Sequence, residues 1–186
     1  IYNFPLHLAQ KQGYFKKIEF EPVEEFDELK SDREIAKRAV FLLQKDLKDG
    51  YEHLLLVRAK TIARAEELFD NIYNRYYSKF KSILITNRQS AKEKKERMEQ
   101  LKSLESKILV CVDMFGEGID IPNLKIAAIH DKYKSIPITL QFIGRFARTA
   151  EKLGYAKIVA NIADDDIVDA IEELYEKDTD WNQLLP

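Results

Sequence analysis

Apolar positions recur along the chain in two rhythms. Short continuous runs read as buried strands, and three-four spacings read as amphipathic helices. Ile18, Phe20, Pro22/Val23 and Phe26 alternate. That predicts an edge strand, because Pro22 cannot donate to a ladder. Ile35, Ala36, Ala39, Val40, Leu43 and Leu47 form a helical stripe, with a capping-box signature at Ser31–Glu34 before it and Gly50 after it. His53–Val57 reads as a short buried strand. Thr61 caps a helix whose inner face is Ile62, Ala65, Leu68, Phe69, Ile72 and Tyr76. Ser82–Thr86 is another strand, and Ser90–Glu93 a second capping box that opens a charged helix to about Leu104. Lys107–Val112, Lys125–Ile129 and Tyr155–Ala163 complete the strands, and Asp164–Asp166 begins a last helix with inner residues Ile167, Ala170, Ile171 and Leu174. Short apolar strands alternating with helices imply an α/β fold: a mainly parallel central sheet with helices on both faces. Loops after the strand C-termini then share one edge, where ligands bind.

Composition narrows the picture. The chain has 186 residues, 45% of them hydrophobic and 33% charged, which suits one substantial globular domain. A formal charge of −2 gives no global basic signal, so any nucleic-acid contact must come from a local patch. Lys92, Lys94, Lys95 and Arg97 could form one, although such a run is more often a solvated helix face. The one cysteine, Cys111, excludes an internal disulfide, reads as a small core residue and fits a reducing, cytoplasmic compartment. No membrane span or signal peptide is visible. His7, His53 and His130 are too scattered to argue for zinc. His130 and Asp131 end a buried strand, where a local hydrogen bond is expected before a ligand contact. Trp181 reads as a packing anchor for a further domain or as part of a tail.

Two stretches carry the chemistry. In Gln141–Arg148 (QFIGRFAR), Gln141, Arg145 and Arg148 fall at i, i+4 and i+7 of a helix and stack along one side. Two planar guanidiniums and an amide suit phosphate oxygens. Gly144 beside them costs about 1 kcal/mol relative to alanine, a cost that makes sense if a backbone or ligand approaches closely. The alternative is a solvated arginine face with accidental spacing. The second stretch, Asp113–Pro122 (DMFGEGIDIP), directly follows a strand. Gly116 and Gly118 free its backbone, and Asp113 and Asp120 offer acceptors. Taken alone it also reads as a Gly-rich connector.

Together, Gly118-Ile-Asp120-Ile-Pro122 and Gln141-Phe-Ile-Gly144-Arg145-Phe-Ala-Arg148 resemble motifs V and VI of superfamily 2 helicases and translocases. His53–Val57 with Arg58 is a weaker match to motif IV, so the likeness covers about residues 53–163. The wording from Asp113 to Pro122 resembles the DNA-directed branch that includes type I and type III restriction motor subunits and excision-repair helicases. The resemblance implies a RecA-like three-layer sandwich, the C-terminal half of a nucleic-acid motor of the DEAD/DEAH type. Its ATP site would be shared with an upstream RecA-like domain. It also implies that Arg145 and Arg148 act as arginine fingers and Gln141 positions phosphate or water. Gly118 and Asp120 would lie near the nucleotide, and Arg58 and Asp113 nearer the nucleic acid. The partners it implies are DNA rather than RNA and a nuclease or methyltransferase module, with no membrane. Val112 stands where the family often has Thr, and Phe142 where many members have Arg. Both departures leave open a non-catalytic nucleic-acid-binding or docking module with the same fold. An unrelated α/β enzyme would lack a visible nucleophile.

No Gly-x-x-x-x-Gly-Lys-Ser/Thr loop and no Asp-Glu-x-His/Asp box occurs in the chain. ATP and Mg²⁺ are therefore expected to be held mainly by an upstream domain, with no metal site in this chain. The layout expected is a connector at 1–16, the motor domain at 17–180 and a tail or linker at 181–186. The chain begins with Ile1 in the middle of what reads as structured sequence, which suggests a piece of a larger protein.

Overall fold

The computed structural model describes residues 18–112, 121–131 and 153–161. Six strands form one sheet in the order β1-β6-β5-β2-β4-β3. They are β1 (Ile18–Val23), β2 (Leu54–Ala59), β3 (Ile83–Ile85), β4 (Ile108–Val112), β5 (Leu124–Ile129) and β6 (Ala156–Asn161). Every pairing is parallel. β1 lies at one edge, as Pro22 requires, opposite Ala160 of β6.

Because side chains alternate along a strand, the two faces of the sheet build two separate cores. On one face Leu55, Val57 and Ala59 of β2 pack with Ile108 and Val110 of β4 and with helices α1 (Glu28–Lys48) and α2 (Ile62–Leu68). On the other, Leu54, Leu56, Leu109 and Cys111 pack with Leu101 of the helix α4 (Ala91–Lys102). This is the expected three-layer α/β sandwich.

The element ends differ from the expectation in instructive ways. α1 starts at Glu28, capped by Asp27, whose side chain accepts from Lys30 N at 3.0 Å. Ser31 is already inside the first turn, and its N–H donates to Asp27 O at 2.7 Å. Ser31 and Asp32 are buried and serve tertiary partners instead of a cap. Ser31 Oγ accepts from Asn161 Nδ2 at 2.8 Å. The stripe itself is as read, with Ile35, Ala36, Ala39, Val40 and Leu43 buried. The exit of α1 is a Schellman arrangement: Tyr51 N donates to Asp46 O and Gly50 N to Leu47 O, with Gly50 at φ 89°.

Thr61 caps α2 as expected, accepting from Arg64 N at 3.2 Å. The chain then widens into a π turn at Phe69–Tyr73 before a short α3 (Asn74–Tyr77). One extra residue in that turn rotates the inner face. Tyr73 is fully buried, while Tyr76, expected inside, is 52% exposed. At α4 the Ser90/Glu93 capping box is complete in both directions. β2 runs on to Ala59, so Arg58 lies within the strand rather than after it.

Candidate functional site at the carboxyl edge of the sheet

All six strands point the same way, so their carboxyl ends share one edge. β2 leads to β3 on one side of the sheet and β5 leads to β6 on the other. The crevice between the ends of β2 and β5 is therefore the switch point at which ligands bind in such sheets.

That crevice is framed by a charged network. Asp131, just after β5, accepts from Lys60 N at 2.6 Å and from Arg64 Nε at 3.3 Å. Arg64 also pairs with Glu67 at 2.9 Å and with the buried Asp32. Asp32 in turn accepts from His130 Nδ1 at 2.8 Å, and Tyr73 Oη lies 2.8 Å from His130 Nε2. A carboxylate can only accept, so Nδ1 carries a proton. Burial alone would push the Asp32 carboxyl up. The hydrogen bonds from His130 and Arg64, backed by their charges, outweigh it and hold Asp32 below the usual carboxylate range. The Arg64 pKa is raised: burial opposes the charge, but the bonds it donates to Asp32 and Glu67 prevail. Burial pushes the Tyr73 hydroxyl well above its ordinary range.

The network ties α1, α2 and the end of β5 into one rigid base. His130 and Asp131 do make structural hydrogen bonds, but across the fold to Asp32, Tyr73, Lys60 and Arg64 rather than locally. Asp32, Arg64 and Tyr73 were not legible as members of this cluster. Asp32 and His130 are 98 positions apart, and no short-range pattern joins them.

Basic side chains stand on the same edge. Lys60 is exposed at the end of β2. Arg88 follows β3 in a turn held by Thr86 and Gln89, and it pairs with Glu66 at 2.9 Å. Of the charged α4 run, Arg97 is turned onto the carbonyl of Leu84, and Lys92 lies 4.0 Å from Glu96.

Of the residues expected to act, Arg58 is placed within β2, level with Cys111 and Ile129 and 3% exposed. In this conformation it offers no surface to a passing strand. Asp113, Gly118 and Asp120 lie outside the described residues, in the stretch that follows the end of β4. Gln141, Arg145 and Arg148 also lie outside them, in the stretch that follows Asp131. Cys111 is fully buried, and burial pushes its thiol up to about 12, against a smaller opposing effect of the Arg58 charge. It is a core residue, not a nucleophile. Among the described residues no group of three His, Cys, Asp or Glu side chains could hold a metal ion. Among the same residues, no helix is long and apolar enough to cross a membrane.

A parallel α/β sheet with a ligand crevice at β2/β5, followed by Gly-Asp-Pro and Gln-Gly-Arg-Arg stretches, defines the RecA-like class of motor domain. The model of the helicase conserved C-terminal domain matches residues 37–150, more than half of the chain. The chain belongs to that family: it is the C-terminal RecA-like domain of a superfamily 2 helicase. It is similar to DEAD-box ATP-dependent RNA helicase 15 of Arabidopsis thaliana, 29% identical over 134 residues, which cover 72% of this chain and 31% of the relative. It is also similar to ATP-dependent RNA helicase uap56 of Schizosaccharomyces pombe, 30% identical over 132 residues, covering 70% of this chain and 30% of the relative. The chain thus spans just under a third of the length of these curated relatives. The fold matches S. cerevisiae Dbp5 bound to RNA and ADP BeF3, with TM-score 0.62 and 14% identity, covering 89% of this chain and 40% of that one.

These relatives correct one expectation. They are named RNA helicases, which overturns the preference for DNA over RNA. With it go the restriction-type branch and the nuclease or methyltransferase partner, which rested on the same wording at Asp113–Pro122. The physical reason is that the Gly-Asp-Pro loop and the arginine helix were read as handling nucleotide phosphates. Such contacts carry no mark of which polynucleotide is gripped.

Proposed function

We propose that this chain is the C-terminal half of an ATP-driven RNA motor, and that it completes an ATP site held mainly by an upstream RecA-like domain. The observation that carries the reading is the all-parallel sheet with its switch point between the carboxyl ends of β2 and β5; in sequence, Gln141–Arg148 follows β5, the strand that ends there. Bound ATP with Mg²⁺ supplies the phosphoric anhydride whose cleavage drives the motor. This chain contributes cations to it. Arg145 and Arg148 reach the phosphates as arginine fingers, Gln141 orients phosphate or water, and Gly118 and Asp120 lie beside the nucleotide. The Asp32–Arg64–Asp131 network fixes the end of β5 against α1 and α2.

RNA is gripped along the same edge. The exposed Lys60 and Arg88 take the phosphate backbone, Asp113, next in sequence to the end of β4, accepts from ribose hydroxyls, and the buried Arg58 acts through the strand it sits in. The layout is a connector at 1–16, the motor domain at 17–180 and a tail at 181–186. A cytoplasmic location rests on the lone, buried Cys111.

The test is Arg145→Ala in the longer protein. We expect RNA-stimulated ATP turnover to fall by about 10³-fold or more, the scale of a lost arginine finger, with nucleotide binding largely kept. Unchanged turnover refutes the finger assignment. The 186-residue chain alone should hydrolyse ATP negligibly, and robust turnover by it would sink the half-site reading.

A further inference from the structure

The opposite, amino-terminal edge of the sheet carries an open cleft of about 570 Å³. It lies between the last turn of α1 and the lead-ins to β2 and β6, which bring Asp46, His53 and Lys157 together. Asp46 accepts from His53 Nδ1 at 2.7 Å and from Lys157 Nζ. Burial alone would raise the Asp46 carboxyl, but the bonds from His53 and Lys157 outweigh it and hold it lowered. Nδ1 therefore carries the proton, and in the neutral ring Nε2 is left as a lone-pair acceptor. Nε2 is buried and has no hydrogen-bond partner, and the His53 side chain is 1% exposed. A buried polar atom without a partner is rare and calls for a donor from outside.

The surroundings indicate what that donor is. Glu19 and Asp49 line the cleft against Lys45, while Glu21 is already paired with Arg38 and Lys157 with Asp46. The excess of acid disfavours a phosphate or another anion. The same acids cannot cage a metal, since no such group exists among the described residues. Tyr51 is stacked on the imidazole with ring centroids 4.8 Å apart, and Tyr155 stands beside it; both rings are partly exposed. Gly154 leaves the strip next to these rings open. A Cβ there would lie 3.4 Å from Tyr51 and 3.5 Å from His53 Cε1, the atom bonded to Nε2. Carboxylates flanked by aromatic rings suit a cation that is planar and can stack, which favours guanidinium over ammonium.

We propose that this cleft docks an arginine side chain presented by a protein partner. Its guanidinium enters along the strip left open at Gly154, stacks on the partly exposed Tyr51 ring, donates in the imidazole plane to Nε2 and pairs with Glu19. Nothing in this depends on the nucleotide edge, so the two readings fail separately.

The experiment follows the His53 Cε1–Hε1 signal of the ¹³C-histidine-labelled full-length protein by NMR. The probes are the peptide acetyl-Gly-Arg-Gly-amide and its neutral citrulline analogue. A saturable shift is expected with the arginine peptide and at least fivefold weaker binding with citrulline. Tyr51→Ala and Glu19→Gln change partly exposed side chains outside the cores, and each should weaken binding at least threefold. Gly154→Ala adds a methyl at ordinary contact distance and should weaken it similarly while the circular-dichroism melt is kept. The proposal is overturned by a linear, non-saturating shift, by equal binding of citrulline, or by Tyr51→Ala binding like the parent. It is also overturned if an oligouridylate moves the His53 signal where the arginine peptide does not.

Discussion

Asp32→Asn isolates the charge at the centre of the carboxyl-edge network without changing its shape. Asp32 is 4% exposed and receives two charge-assisted or buried bonds, from Arg64 and from His130. A hydrogen bond to a charged group contributes about 1.5–3 kcal/mol, and a neutral one about 1 kcal/mol. Asparagine keeps one oxygen for one donor and turns an amide N–H₂ toward the other. Breaking a fully buried pair costs about 3–5 kcal/mol. Here Arg64 keeps Glu67 and Asp131, and its side chain is 23% exposed, so its charge is not stranded. The net expectation is a loss of about 2–3 kcal/mol at pH 7, roughly 4–12 °C in Tm for a chain of this size. The sign with pH follows from the lowered pKa. The carboxylate stabilises the fold at pH values above its ordinary value of 3.8, and that contribution is lost as pH falls through the depressed folded-state value. Asparagine cannot titrate. Urea unfolding of both proteins from pH 7 down to about 3 should therefore show the gap between them closing below about pH 3.8. A gap under about 0.5 kcal/mol at pH 7, or one that stays constant or widens on acidification, would refute the network as drawn.

Two further expectations test other parts of the fold. Ser90→Ala removes the side-chain half of the α4 capping box, the bond that Ser90 Oγ accepts from Glu93 N, and leaves the bond that Glu93 accepts from the backbone N–H of residue 90; it should cost about 1 kcal/mol in urea unfolding, and no measurable loss would mean that the remaining half and the packing hold the helix start. The Cys111 thiol, fully buried and pushed up to about 12, should react with a disulfide reagent at pH 8 only as fast as the protein opens. Labelling at the rate of a free thiol would contradict its place on the inner face of β4.

The parts of this fold that could be read in advance are those decided locally. Strand runs are continuous because both faces of a parallel sheet are buried, and Pro22 betrays an edge. The α4 cap was legible because Ser90 and Glu93 answer each other across three positions. The same signature at Ser31–Glu34 misled, because Ser31 and Asp32 answer Asn161 and His130 across the fold. Tyr76 was placed inside on a strict 3.6 period, and the π turn at Phe69–Tyr73 moved that place to Tyr73. Arg58 was read as following the strand because the apolar run ends at Val57, yet β2 continues to Ala59. At the functional edge, the arginines and glycines announce themselves by type and spacing. The carboxylates of the Asp32–Arg64–Asp131 network do not, since each has its partner on another element. The choice between RNA and DNA is legible in neither, because phosphate chemistry is common to both polynucleotides.

The pairing of β1 with β6 has a consequence for synthesis. Ile18 lies opposite Ala156, and β6 is the strand beside β1 in the sheet. During translation Ile18–Val23 must wait for its neighbour while roughly 130 further residues are made. At about 5–20 residues per second that is roughly 7–26 s of an apolar, unpaired strand edge on the ribosome. The glutamates Glu19 and Glu21 and the donor-less Pro22 sit within this waiting segment. There they act as gatekeepers against wrong partners before the right one exists.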